Sequence, residues 1–293
     1  MTAQRIQEET SAIDRFGFLP IKCTIEFDGG KISPVPEFDT AWERVEKHLH
    51  EDGFLYPPSR HRVTFDPLTL KIVGRVPRTK RPLHLRRLPT SHELRLSHAD
   101  TREALRDGPA AFIIHCLGFL YDVRLQFYDW WFDGRIPIGQ ACKVRLSSAS
   151  AGHFLSHAYQ VWKGWKPDEQ RRFTNILYMR CRAPLYEWDW EKFMIEYMVI
   201  DGCWKMAEKL FHLAKSPHPE RIRKLCDRFS TPIQKEYLRK ITKLRGDLFH
   251  ETLWDRGMPG FVRDANDAFA FRTPTQLRNL SRAFIRGLLG YND

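Results

Sequence analysis

The feature that most narrows the fold is an apolar stripe in the second half of the chain. Over residues 188–213, Phe193, Tyr197, Ile200, Trp204, Ala207 and Phe211 follow one another at steps of 4, 3, 4, 3 and 4. Only a long amphipathic helix places such residues on one face. The pattern recurs on both sides of this stretch. Upstream, KPDEQRRFTNILYMRCR has a Pro-Asp-Glu start and apolar residues at Phe173, Ile176 and Leu177. Downstream, Pro219 opens a short helix with Ile222, Leu225 and Phe229, and Ile233, Tyr237, Ile241, Leu244 and Leu248 continue the period. The loop around residues 258–260 ends that helix, and Thr273 and Pro274 start a last one, with Leu277, Leu280, Phe284 and Leu288 inward and Gly290 as terminator. Helices of this kind joined by short connections predict an antiparallel bundle.

The first half reads differently. FLPIKCTIEF and RVTFDPLTLKIVGRV are β-branched and aromatic runs broken by Gly and Pro, as strands and turns are. DTAWERVEKHL predicts a short helix capped by Asp39 or Thr40. Pro109 followed by AAFIIHCLGFLYD predicts a buried helix, and VRLQFYDWWF a half-buried strand with Val123, Leu125 and Phe127 inward. The small polar residues 146–152 read as a linker. The expected class is therefore α+β. A β-rich or mixed α/β domain over residues 1–147 is followed by an all-α bundle over residues 148–293.

Composition removes several alternatives. Of 293 residues, 42% are hydrophobic and 28% charged, which is ordinary globular usage and excludes disorder, collagen and a coiled-coil rod. The longest apolar run, residues 110–121, contains His115 and falls short of the roughly 20 residues a membrane helix needs. The charged, apolar-poor start gives no reason to expect a secretory signal. The 6 cysteines are scattered without a CxxC pair, so buried thiols in a reducing cytoplasm are expected rather than disulfides or a zinc site.

Net charge is +11 and is concentrated. One basic window, residues 74–87, includes Arg75, Arg78, Lys80, Arg81, Arg86 and Arg87 and no acid. A second, residues 221–245, includes Arg239 and Lys243 and has only Asp227 and Glu236 against it. Such a surplus favours a polyanionic partner, because neutralising phosphates releases counterions. The plainer alternative is a solvated, ion-paired face. The aromatic run YEWDWEKF, residues 186–193, could stack bases, although aromatics at helical spacing more often pack into a core or an interface.

Familiar catalytic motifs are absent: the chain has no GxxxxGK[ST], GxSxG, HExxH or GxGxxG, and no Glu/Gln-x-Lys triplet of a metal-dependent nuclease core. His153 and His157 lie one helical turn apart, but no neighbouring acid or thiol in sequence completes a metal site. LRGDLFHE, residues 244–251, is more informative, with Arg245 and His250 late in a helix while Leu244 and Leu248 stay on the core stripe. A five-residue helical step turns about 140° and rises about 7.5 Å, so a flexible Arg and an imidazole near the helix end can reach one phosphate from two sides. Guanidinium clamps phosphate, and His moves protons near neutral pH. Arg87 and His92 have the same spacing, but Pro89 between them places that pair in a loop.

The stretch HPERIRKLCDRFSTPIQKEYLRKITKLRGDLFHE, with the helical segments before it and LRNLSRAFIRGLLGY after it, resembles HEPN domains, in particular the ApeA-like group. The resemblance covers about residues 150–293; the first half resembles only loosely the β-rich segments that precede such domains. It implies a helical bundle that dimerises and a metal-independent endoribonuclease without cofactor. Arg245 holds the phosphate, and His250 activates the ribose 2′-OH or protonates the leaving 5′-oxygen. The implied products are a 2′,3′-cyclic phosphate and a 5′-OH. A homodimer would place two such pairs in one cleft.

The resemblance also implies a supporting acid in a mid-bundle helix, here Asp201, orienting Arg245 or His250. The residue after Arg is usually Asn, Asp or His, whereas here it is Gly246, which transfers the polar role to Asp247 or abolishes it. A glycine there predicts a local bend or a close neighbour. By analogy the setting is a toxin or anti-phage effector in the cytoplasm, acting on RNA, with an antitoxin or activator protein as a further partner. The competing reading is a non-catalytic module of this fold that binds RNA or nucleotides, or a dimeric scaffold.

Overall fold

The structure, a computed structural model, describes residues 12–56, 61–66, 69, 71–77, 87–97, 108–128, 134–254, 259 and 269–291. It is α+β, and its chain divides into two compact units between Tyr159 and Gln160.

In the first unit, β1 (Ala12–Gly17), β2 (Ile25–Phe27), β3 (Gly30–Pro34), β6 (His92–Leu96) and β7 (Gln126–Phe127) form an antiparallel sheet in the order β2-β3-β6-β1-β7. β1 and β6 pair from Ala12 with Leu96 to Phe16 with His92. Helix α1 (Phe38–Glu46) follows β3. β4 (His61–Phe65) and β5 (Ile72–Pro77) make a separate hairpin. The predicted strand signal at residues 18–27 is realised only at its end, and α1 starts after Glu37 instead of at Asp39 or Thr40.

Helix α2 (Pro109–Leu120) has Pro at its first position and is buried from Ala110 to Leu120, which explains why its sequence is apolar on every side. The alternation expected after it is not seen: Val123, Arg124, Leu125, Gln126 and Phe127 are all buried. A short helix, α3 (Ile138–Ala141), comes next.

The expected linker is instead the start of a helix, α4 (Ser148–Lys163). Its small residues serve close packing. A Cβ on Gly152 would sit 2.2 Å from the Glu26 carbonyl oxygen, so backbone meets backbone there, and Ser156 Oγ accepts from the Asp28 N–H at 2.9 Å.

The second unit is helical. It comprises the end of α4, α5 (Pro167–Arg182), a 3-10 turn at Ala183–Leu185, α6 (Asp189–Leu210), α7 (His218–Arg228), α8 (Lys235–Glu251) and α9 (Phe269–Leu288). α6 is central and packs against α5, α7 and α9, and α7 packs on α8. Phe193, Tyr197, Ile200, Trp204 and Ala207 of the predicted stripe are buried; Phe211 is the half-buried C-cap. α9 begins at Phe269, not at Thr273, and holds Pro274 inside it, while Thr273 Oγ1 donates to the Phe269 carbonyl at 2.7 Å. The expected loop at residues 258–260 lies, apart from Pro259, outside the described residues.

α5, α6 and α9 are tied by a buried charge network. Glu196 accepts from Arg278 Nη1 at Oε1 and from Ser281 Oγ at Oε2, each at 2.8 Å, with Arg180 Nε 3.7 Å from Oε2. All six cysteines are free; Cys116, Cys181, Cys203 and Cys226 are buried, Cys23 and Cys142 half-buried. Among the described residues no helix is long and apolar enough to cross a membrane.

Candidate active site

The end of α8 is held by apolar contacts. Ile241, Leu244 and Leu248 are buried on its inner face. The helix stops because Thr252 adopts a left-handed conformation (φ 58°), turning the chain so that the Leu253 N–H bonds the Asp247 carbonyl at 3.0 Å. Trp254 is then buried, edge-on to Phe193 of α6 at 5.4 Å between centroids. This anchor leaves Phe249 and His250 on the exposed last turn.

The predicted pair converges. Arg245 Nη1 lies 3.3 Å from His250 Nε2. A guanidinium only donates, so that bond needs the lone pair on Nε2 and therefore a neutral imidazole with its proton on Nδ1. The Arg245 Cζ is 5.0 Å from the Phe249 ring and 5.8 Å from the Tyr197 ring of α6, both within cation–π range. Its Nε is buried without a hydrogen-bond partner among the described residues.

Gly246 departs from expectation. α8 runs through it unbroken, and a Cβ added there would meet nothing within 4 Å. It marks neither a bend nor a close approach. Asp247 pairs with Lys243 Nζ at 2.7 Å along the same helix, a bond to neither Arg245 nor His250.

Asp201 also has different partners from those expected. Its Oδ1 accepts from Arg221 Nη1 at 3.1 Å, and its Oδ2 lies 3.3 Å from His218 Nδ1, both residues of the first turn of α7. Arg221 Nη1 is within hydrogen-bond distance of the His218 ring, 3.2 Å from each ring nitrogen, and its Nε donates to the Ser216 carbonyl at 3.0 Å. Tyr197 links the two groups: its ring centroid is 6.4 Å from that of His218, and Arg245 lies on it from α8. Sequence spacing does not reveal His218, Arg221 or Tyr197, because they come from other helices. The one signal was the Asp201 carboxylate, which needed a cation.

Electrostatics are consistent with this geometry. Burial holds the His218 imidazole below its ordinary pKa; the Asp201 carboxylate pulls the other way, and the Arg221 and Arg245 charges add to the lowering. The imidazole is thus kept neutral while remaining about one-third exposed. Burial and the Asp201 charge push the Tyr197 phenol up to about 12, so its hydroxyl stays protonated, and that hydroxyl is buried with no hydrogen-bond partner among the described residues.

The remaining predicted contacts divide. Arg239 and Lys243 are exposed on α8. Much of the surrounding basic surface is paired, Arg223 with Asp227 at 3.1 Å and Lys240 with Glu236 at 3.3 Å. In the first unit Arg87 is exposed and the Arg75 backbone lies in β5; the Arg75 side chain and Arg78, Lys80, Arg81 and Arg86 lie outside the described residues. Of the aromatic run, Phe193 is core and Trp188 is exposed at the start of α6. No third His, Cys, Asp or Glu joins His153 and His157 among the described residues. Comparison of the chain with protein-family models, curated proteins and solved structures finds no match.

Proposed function

We propose that the chain is a metal-independent endoribonuclease of the HEPN type. The observation that carries this reading is the Arg245–His250 contact at 3.3 Å on an exposed helix end. A phosphodiester entering there accepts from Arg245, which offsets the charge that grows on the phosphoryl oxygens. That exchange frees His250 Nε2 to move a proton. The 2′-oxygen then bonds to phosphorus as the 5′-oxygen leaves, giving a 2′,3′-cyclic phosphate and a 5′-OH. We place the enzyme in the cytoplasm as a homodimer acting on cellular or phage RNA in a toxin or defence setting, under an antitoxin or activator protein. Arg239 and Lys243 beside the site, and the basic window of the first unit, would hold the RNA backbone.

A non-catalytic RNA-binding module is the second reading, favoured by Gly246 standing where a polar residue is usual and by the engagement of Asp247 with Lys243. One assay separates the two. Single-stranded and structured RNAs are incubated with the protein in EDTA, alongside Arg245→Ala and His250→Ala. The expected result is cleavage by the unmodified chain and a loss of roughly 10²-fold or more in each variant. Binding without cleavage supports the second reading, and cleavage that persists in both variants contradicts the first.

A further inference from the structure

We propose that His218, backed by Asp201, is the general base of this site and His250 its general acid, so that each single chain carries a complete proton-transfer pair around one phosphate held by Arg221 and Arg245. The inference rests on the ribonuclease reading above and adds to it the residues that divide the chemistry.

The geometry assigns the roles. Asp201 Oδ2 lies 3.3 Å from His218 Nδ1, and a carboxylate only accepts, so Nδ1 carries the ring proton and Nε2 the lone pair, which accepts from Arg221 Nη1 at 3.2 Å until the phosphate draws that guanidinium away. A carboxylate behind an imidazole fixes the tautomer and stabilises the imidazolium formed on proton uptake. The charged neighbours that act on this balance are Asp201 from α6, Arg221 from its own helix and Arg245 from α8, and the neutral Tyr197 ring of α6 lies beside it. The two guanidinia and burial keep the free ring neutral, as a base must be, while Asp201 supports its charge once the proton arrives. Among the described residues, Arg245 is the hydrogen-bond partner of His250. When substrate phosphate takes over Arg245, His250 Nε2 is released from that bond to act toward the leaving oxygen.

The buried Tyr197 hydroxyl is the second mark of a ligand. It is a protonated donor without a partner among the described residues, on a ring flanked by the His218 ring at 6.4 Å and the Arg245 guanidinium at 5.8 Å, and a phosphoryl oxygen would satisfy it. The step balances within one chain. His218 Nε2 takes the 2′-OH proton, the O2′–P bond forms, the P–O5′ bond breaks, and O5′ takes the His250 proton. Exchange with water then resets both rings.

The test compares RNA with a uridine 3′-aryl phosphate, whose leaving group departs without a proton. His218→Gln should lose roughly 10²-fold or more on both substrates. His250→Gln should lose as much on RNA and be restored to near the unmodified rate on the aryl ester. Asp201→Asn should slow RNA cleavage and move the acid limb of the kcat/KM profile to lower pH, because removing the carboxylate lowers the base's pKa further. A variant that merely disturbs packing does not move that limb. Near-normal RNA cleavage by His218→Gln, or its rescue by the aryl leaving group, overturns the assignment and leaves the ribonuclease reading standing. Loss on both substrates in His250→Gln overturns its role as the acid. Full activity in Arg245→Ala and His250→Ala, or no cleavage by the unmodified chain, overturns the reading beneath it.

Discussion

Gly246 sits in the interior of α8 with open space where a Cβ would project and with helical neighbours on both sides. Glycine there costs helix stability without returning a packing contact, so Gly246→Ala should stabilise the protein by about 1 kcal/mol, read from the shift in its urea midpoint. A destabilised variant would mean that the glycine has a conformational role that the helix geometry does not show. Single residues also show what the sequence could and could not reveal about the site. Arg245 and His250 belong to one helix, and their separation is written directly in the chain. Asp201 was legible as an acid on the edge of a stripe, but not its partners, because Arg221 and His218 approach from α7 after folding. Asp247 is taken by Lys243 one turn earlier, an ordinary i, i+4 pair that competes with any role toward the site.

The helices around α6 were legible because apolar period is a direct consequence of which face is buried. Their ends were less so. Residues 146–152 have a linker's composition and a helix's job: small side chains let α4 approach the Glu26 backbone, and smallness reads the same in both cases. Pro274 suggests a helix start, yet α9 begins five residues earlier at Phe269 and tolerates the loss of one internal hydrogen bond at the proline. The network at Glu196 was not anticipated, since buried charges interrupt no apolar period when they lie beside the stripe. Glu196 is 1% exposed and Arg180 3%, so Glu196→Ala strands buried positive charge. A loss of about 3–5 kcal/mol is expected by chemical denaturation. A change under about 1 kcal/mol would show that the three-helix junction does not rely on that anion.

At the scale of the whole chain, acid acts on the sheet unit through two buried imidazoles. In the sheet unit, burial holds the His92 imidazole down to about 4, with Nδ1 3.0 Å from Ser91 Oγ and the Phe16 ring stacked on it at 5.7 Å. Burial and the nearby Arg124 charge hold His115 down to about 3. The unfolded chain takes up these protons near pH 6.5 and the folded unit does not, so stability is constant above that value and falls as pH drops toward about 4. The loss from His92 alone is on the order of 3 kcal/mol, and it should appear in hydrogen-exchange opening energies of β1 and β6, corrected for intrinsic rates, between pH 7 and 4.5. Opening energies independent of pH over that interval would contradict the burial of these rings in neutral form. For the helical unit, the central claim concerns what the convergent side chains of α6, α7 and α8 do to a phosphodiester. The most direct measurement is the chemistry of the RNA ends produced in EDTA, read by mass spectrometry. The account predicts 2′,3′-cyclic phosphate and 5′-OH ends that disappear in Arg245→Ala and His250→Ala; 3′-OH and 5′-phosphate ends, the mark of attack by water, would contradict it.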